Sequence, residues 1–162
     1  MAAEIERKFL LDAEPDWLRD CESKDIEQGY LVVGEQDEVR LRRSGDDRRM
    51  TVKIGHGMSR DETEIDLTGE QFEELWPLTE NRRVSKTRYL VPLENDLTAE
   101  VDIYSGEHDG FLVVEVEFES EDESNAFEPP TWFGRDVTGL REYANQRLAI
   151  EGGPPGSPIA GK

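Results

Sequence analysis

Cysteine is nearly absent from this chain. Cys21 stands alone, so no internal disulfide can form, and that fits a reducing compartment. Its setting, Arg19-Asp20-Cys21-Glu22, raises a thiol pKa rather than lowering it and argues against a catalytic thiolate. Histidine occurs twice, His56 in a glycine-flanked loop and His108 in an acidic hairpin, and both are expected to be solvated. Long apolar runs are missing as well. No stretch approaches the roughly 20 residues that span a bilayer, and no signal-peptide pattern precedes the first strand candidate. The expectation is a cytoplasmic protein without a membrane partner. Positive charge is scarce: 19 Lys and Arg stand against 38 Asp and Glu, for a formal net charge of −19. Such a field repels nucleic acid and favours solubility, and a halophilic source would account for it. An anionic ligand must therefore meet a local concentration of basic side chains, so their placement matters more than their number.

What is present is alternation. The 162 residues suit one domain with a full core. Residues 4–11 read as a strand, and side chains on a strand point to alternate faces. Glu4, Glu6 and Lys8 then share one face, with Ile5, Phe9 and Leu11 on the other. The same pattern recurs at 26–33 (Gln28, Tyr30), 38–43 (Arg40, Arg42), 49–54 (Thr51, Lys53), 60–67 (Arg60, Glu62, Glu64, Asp66), 84–91 (Lys86, Arg88), 98–104 (Glu100, Asp102) and 111–118 (Glu115, Glu117). Turn signals such as Ser44-Gly45-Asp46-Asp47 separate most of these segments. Pro15 to Arg19 suits a short helical turn. Thr68-Gly69-Glu70-Gln71 resembles a capping box ahead of Phe72, Leu75 and Trp76 at helical spacing, with Pro77 as the stop. Residues 138–149 carry Leu140, Tyr143, Ala144, Arg147 and Leu148 as an amphipathic helix. The fold expected is α+β but mainly β: an eight-stranded antiparallel barrel or tunnel with flanking helices and a C-terminal helix, over residues 1–150. Residues 151–162, rich in Gly and Pro, are expected to be a disordered tail. Trp17, Trp76, Trp132 and Phe133 are expected in the core or capping it.

The charged faces admit two readings. In the plainer one, each strand has a wet outer face. Yet like charges at i and i+2 repel, and four of the strand candidates carry a carboxylate pair of the form Glu-x-Glu or Glu-x-Asp on the charged face. In the other, the charged faces line a hydrated tunnel, about as wide as an eight-stranded barrel needs for one small ligand. Arginine there would clamp phosphate oxygens and lysine would act as a point charge. Carboxylate pairs suit a bound cation, and Mg²⁺ takes one or two carboxylates plus water and substrate phosphates. Together these describe phosphoryl transfer.

The ordered set Glu4-Ile5-Glu6-Arg7-Lys8, Gln28-Gly29-Tyr30-Leu31, Val39-Arg40-Leu41-Arg42, Thr51-Val52-Lys53, Arg60-x-Glu62-x-Glu64, Lys86-Thr87-Arg88-Tyr89, Glu100-Val101-Asp102 and Glu115-Val116-Glu117 resembles the CYTH superfamily, the triphosphate tunnel metalloenzymes. Asp136-Val137-Thr138, Tyr143-Ala144-Asn145 and Leu148-Ala149 look like its small prokaryotic tripolyphosphatase branch. The resemblance covers roughly residues 3–150. It implies a β-tunnel that binds a triphosphate and a divalent metal, Mg²⁺ with Mn²⁺ as the substitute. Glu4, Glu6, Glu115 and Glu117 would hold the metal, or else balance the arginines. Lys8, Arg40, Arg42, Lys53, Arg60 and Arg88 would bind the substrate. Tyr30 and Lys86 match a pair that assists hydrolysis, although Tyr30 also suits a core tyrosine bonded to Lys86. Glu62, Glu64, Glu100 and Asp102 would hold the basic side chains in place. The activity implied is hydrolysis of a triphosphate, inorganic tripolyphosphate first, by a monomer or homodimer. The rivals are a class IV adenylyl cyclase, a thiamine or nucleoside triphosphatase, and a sensor that binds polyphosphate or nucleotide without turnover. An acidic barrel that scaffolds a partner is a further alternative.

Overall fold

The structure, a computed structural model, describes residues 5–35, 37–55 and 61–151. Glu4, His56, Arg60 and the tail 152–162 lie outside the described residues. Eight strands form one antiparallel sheet: β1 (Ile5–Leu10), β2 (Glu22–Val33), β3 (Glu38–Ser44), β4 (Asp47–Ile54), β5 (Asp61–Asp66), β6 (Arg83–Pro92), β7 (Thr98–Ser105) and β8 (Leu112–Phe118). The spatial order is β1-β8-β7-β6-β2-β3-β4-β5. The edge strands are thus β1 and β5, and among the described residues they are not hydrogen-bonded to each other. Strand β2 is irregular between Tyr30 and Val32, where its register with β3 shifts.

Two cores occupy opposite faces. The outer face of β1, β8, β7 and β6 supplies Phe9, Val114, Val116, Phe118, Ala99, Val101, Tyr89 and Val91, closed over by Leu11, Leu18 and Phe133. Trp132 packs edge-on against both Phe133 and Trp17. On the inner face, Tyr30, Val84, Tyr104, Phe111 and Val113 meet Val137, Tyr143, Leu148 and Ala149 from the C-terminal segment. That segment therefore covers part of the concave face.

Helix α1 (Gly69–Leu75) begins with a complete capping box: Thr68 Oγ1 accepts from the Gln71 amide, and Gln71 Oε1 accepts from the Thr68 amide. A 3₁₀ turn, Trp76–Thr79, follows with Pro77 inside it, where a missing amide proton costs little. Phe72 and Trp76 stack at 5.1 Å on the outer face of the sheet, and the Arg43 and Arg83 guanidiniums lie over these rings. Gly29 makes this approach possible, because a Cβ there would meet Thr79 Oγ1 at 2.6 Å and the Trp76 ring at 2.9 Å.

Two sequence expectations change. Residues 138–149 do not form one helix: a 3₁₀ turn at Arg141–Tyr143 precedes helix α3 (Asn145–Glu151), and the extended residue Ala144 between them lets the Tyr143 ring and Leu148 both reach the inner core. A short helix, α2 (Glu121–Ala126), capped by Ser120, follows β8. His108 is buried rather than solvated, and its Nε2 is hydrogen-bonded to the Leu148 carbonyl of α3.

Candidate active site

Directly opposed residues on neighbouring strands share a face, so the register shows where each charged row goes. Glu6 faces Glu117 and Lys8 faces Glu115. Glu115 faces Glu100. Arg88 faces Asp102 and Lys86 faces Tyr104. Ile26 faces Lys86 and Gln28 faces Val84. Across β2 and β3, Gln28 faces Arg42 and Tyr30 faces Arg40. Arg40 continues to Thr51 and Glu38 to Lys53, and these to Glu64 and Glu62. The charged faces of all eight strands are therefore one face. It is concave: Arg42 on β3 is acted on by Arg88 of β6 and Asp102 of β7, and Lys86 on β6 by Glu115 of β8 and Arg42.

The most enclosed charges form a three-member group. Asp102 is fully buried and accepts from Arg88 Nε at 2.8 Å and from Arg88 Nη2 at 3.0 Å, a bidentate pair. Lys86 Nζ lies 2.8 Å from the same carboxylate, with neither side chain exposed. Arg88 also donates to Glu100 at 3.2 Å. Burial pushes Asp102 upward, but Lys86 and Arg88 outweigh it and hold the carboxyl well below its usual range. Burial drives the Lys86 ammonium down to about 8, against the pull of Asp102. Lys86 thus titrates near neutrality, which an ordinary lysine does not.

A second group carries the clamp. Arg42 Nε donates to Gln28 Oε1 at 2.8 Å, and Gln28 Nε2 donates to the Tyr30 hydroxyl at 2.7 Å. Burial lowers Arg42 to about 10, and Arg40 and Arg88 add to that. Arg40 lies 3.9 Å from Glu38 and keeps a buried Nε with no hydrogen-bond partner among the described residues. Cations crowded on one buried face, one with an unmet donor, are what an anion site needs. Lys53 sits 4.0 Å from Glu62. Glu64 is taken up by Arg49 at 2.7 Å and Thr51 at 3.2 Å. Burial and Glu38 push the Tyr30 phenol up to about 12, so it is a hydrogen-bond donor at neutral pH rather than a phenolate.

The carboxylates gather on β1, β8 and β7. Two like-charged pairs stand directly opposed, Glu6 with Glu117 and Glu115 with Glu100, an arrangement that costs a sheet stability. Burial raises Glu115, yet Lys8 and Lys86 outweigh it and hold the carboxyl below its usual range. Among the described residues no three carboxylate, histidine or cysteine side chains close into a metal cage of their own. Hard oxygen donors in small number suit a cation such as Mg²⁺ that draws its remaining ligands from water and phosphate.

Of the candidate residues, Glu6, Lys8, Tyr30, Arg40, Arg42, Lys53, Glu62, Glu64, Lys86, Arg88, Glu100, Asp102, Glu115 and Glu117 all fall on this one face. Glu4 and Arg60 are outside the described residues. Tyr30 and Lys86 bond to different partners: the tyrosine beside Lys86 is Tyr104, whose ring centre is 5.4 Å from Nζ. Alternation places Gln28 beside Tyr30 on the charged face without giving it a role. Two residues at the site were missed from sequence. Tyr104 follows Glu100 and Asp102 at the same spacing of two, so strand parity alone would have found it. Asn145 had no local signal. Its Oδ1 accepts from the Tyr104 hydroxyl and from Lys86 Nζ at 3.4 Å.

No protein-family model matches the chain. Individual relatives do. An inorganic triphosphatase of Nitrosomonas europaea is 45% identical over 148 residues, which cover 91% of this chain and 97% of the relative. The chain belongs to the CYTH superfamily. A second relative, an inorganic triphosphatase of Acetivibrio thermocellus, is 35% identical over 150 residues, covering 91% of this chain and 94% of the relative. A crystal structure of an inorganic triphosphatase superposes on this CYTH chain with a TM-score of 0.72 at 43% identity, over 93% of this chain and 96% of the other. No helix among the described residues of the CYTH chain is long and apolar enough to cross a membrane.

Proposed function

We propose that this protein hydrolyses inorganic tripolyphosphate to pyrophosphate and phosphate on the concave face of its sheet, with a divalent metal, Mg²⁺ or Mn²⁺, held at the carboxylate end. The observation that carries this reading is the shared face: Lys8, Arg40, Arg42, Lys86 and Arg88 lie on the same side of the sheet as the opposed carboxylate pairs. The inorganic triphosphatases to which the chain is 45% and 35% identical support the substrate class.

The residues divide the work by chemistry. Arg40, Arg42 and Arg88 offer planar donors to successive phosphate oxygens, and Lys8 and Lys53 add point charges. Glu6, Glu115 and Glu117 are the residues that would hold the metal, Glu4 being a candidate from sequence alone. When bound, a divalent cation would supply positive charge to offset the phosphate chain and Lewis acidity toward a phosphoryl oxygen. Asp102 keeps Lys86 and Arg88 in place when no substrate is present. In-line attack by water breaks the bond from the terminal phosphorus to the bridging oxygen, and charge accumulates on the departing pyrophosphate. The Lys86 ammonium is suited to meet that charge, and its pKa of about 8 lets it give up a proton to the leaving oxygen. Tyr30, protonated and fixed by Gln28, orients rather than deprotonates.

The inner-face rings Tyr30 and Tyr104 are buried in the apolar core, which leaves neither as a platform for a nucleobase. That favours inorganic tripolyphosphate over nucleotides. The test is phosphate release from tripolyphosphate, ATP, GTP and thiamine triphosphate with Mg²⁺, Mn²⁺ and Ca²⁺, together with an assay for cyclic AMP. Tripolyphosphate turnover well above all others is the expected result. Equal or better turnover of ATP or thiamine triphosphate, or formation of cyclic AMP, overturns the substrate assignment, and tight binding without product overturns catalysis.

A further inference from the structure

The C-terminal segment reaches the reacting groups from outside the sheet. Asn145, the first residue of α3, places one amide oxygen between two buried donors, the Tyr104 hydroxyl and the Lys86 ammonium. Two residues earlier, the Tyr143 carbonyl accepts from Lys8 Nζ at 2.7 Å. The segment is anchored on both sides of these contacts: the Tyr143 ring stacks parallel to Phe111, Leu148 is fully buried, and the Leu148 carbonyl is bonded to His108. Asn145 is therefore held by α3, and it holds a lysine that belongs to β6.

Lys86 has two fixed partners of different character. Asp102 attracts it as a charge, yet the same carboxylate already receives two hydrogen bonds from Arg88. The groups facing Lys86 are Asp102 and Tyr104 from β7, Arg88 from β6, Arg42 from β3, Glu115 from β8 and Asn145 from α3. Asn145 adds a neutral carbonyl acceptor to this set. A second acceptor beside the carboxylate constrains the direction of the ammonium, because three N–H donors on one nitrogen must point to separate places.

We infer that Asn145 is a positioning residue of the active site, aiming the Lys86 ammonium, and that α3 is in this way a working part of the tunnel and not only its cover. The inference rests on the functional reading above for its kinetic consequence, but its structural content does not need turnover.

The test uses two substitutions in the full chain. Asn145→Leu keeps the branched heavy-atom skeleton without an acceptor, and Asn145→Asp keeps the acceptor oxygens. The first readout needs no substrate: the ammonium resonance of Lys86 in a ¹H–¹⁵N correlation spectrum, assigned with Lys86→Met. A resonance protected from exchange in the unaltered protein should persist in Asn145→Asp and vanish in Asn145→Leu. The second is steady-state hydrolysis of tripolyphosphate. Asn145→Leu should lower kcat roughly tenfold, the loss expected for one hydrogen bond to a charged group, while KM stays within about twofold and Asn145→Asp recovers most of kcat. An unchanged Lys86 resonance in Asn145→Leu, or equal kcat losses in both variants, overturns the inference. If the resonance behaves as stated but the unaltered protein does not hydrolyse tripolyphosphate, the hold on Lys86 stands and the reading of the reaction falls.

Discussion

Asp102→Asn is the substitution with the largest consequence. The change keeps shape and removes one negative charge from a fully buried site. It leaves Lys86 and Arg88, which now approach that carboxylate at 2.8 Å each, enclosed with no full counter-ion between them. Removing one partner of a buried ion pair typically costs about 3–5 kcal/mol, because the other charge stays desolvated. For a domain of this size that lowers Tm by roughly 6–20 °C. Lys86 has a way out. It already titrates at about 8 with Asp102 supporting its charge, so in the variant it sheds its proton at neutral pH. The penalty should therefore shrink toward pH 10, where the unaltered protein has also lost that charge, and what is left belongs to Arg88. Urea unfolding at pH 7 and at pH 10 measures both quantities. A neutral Lys86 would also depress kcat at pH 7. A loss below about 1 kcal/mol at pH 7, the size of an exposed pair, would refute the claim that this group is buried and mutually dependent.

Three further outcomes follow from the same structure. Because the folded-state pKa of Lys86 lies at about 8 and its ordinary value is 10.5, the unfolded chain binds more protons between these values. Stability should then rise with pH across that window by up to about 3 kcal/mol, and Lys86→Met should flatten the rise in urea titrations. Arg42→Ala should raise KM for tripolyphosphate by roughly 10- to 150-fold, the range for one hydrogen bond to a charged group, whereas Arg19→Ala, in an exposed pair with Glu14, should leave KM within about twofold. Gly29→Ala should destabilise by about 1–3 kcal/mol through overpacking, since the new methyl collides with Thr79 and Trp76, and thermal melts will show it without any change in KM beyond about twofold if the outer face only supports the tunnel.

Much of this molecule is legible locally. Alternation placed all eight strands to within a few residues, and it assigned Glu6, Arg42 and Glu117 to the charged side before their strands were paired. The capping box at Thr68 was equally plain, because its donors and acceptors lie within four residues. What failed to show depends on contacts across the chain. His108 sits between Glu107 and Asp109 and reads as a solvated hairpin, yet α3, 40 residues on, covers it. Asn145 looks like an ordinary helix residue until Tyr104 and Lys86 arrive from β7 and β6. The helix expected over 138–149 was misjudged for a related reason. Its apolar spacing suits a continuous helix, but Tyr143 and Leu148 pack into one core only when the chain breaks between them.

The concave charged face, and not the arginine-rich outer surface, should receive a metal-bound triphosphate. A crystal structure of the protein with tripolyphosphate and Mn²⁺, the metal located by its anomalous signal, tests that most directly. Phosphate oxygens are expected against Arg40, Arg42 and Arg88, with Mn²⁺ on Glu6, Glu115 or Glu117. Phosphates seated over Arg43 and Arg83 on the outer face, or Mn²⁺ remote from those three carboxylates, would contradict it.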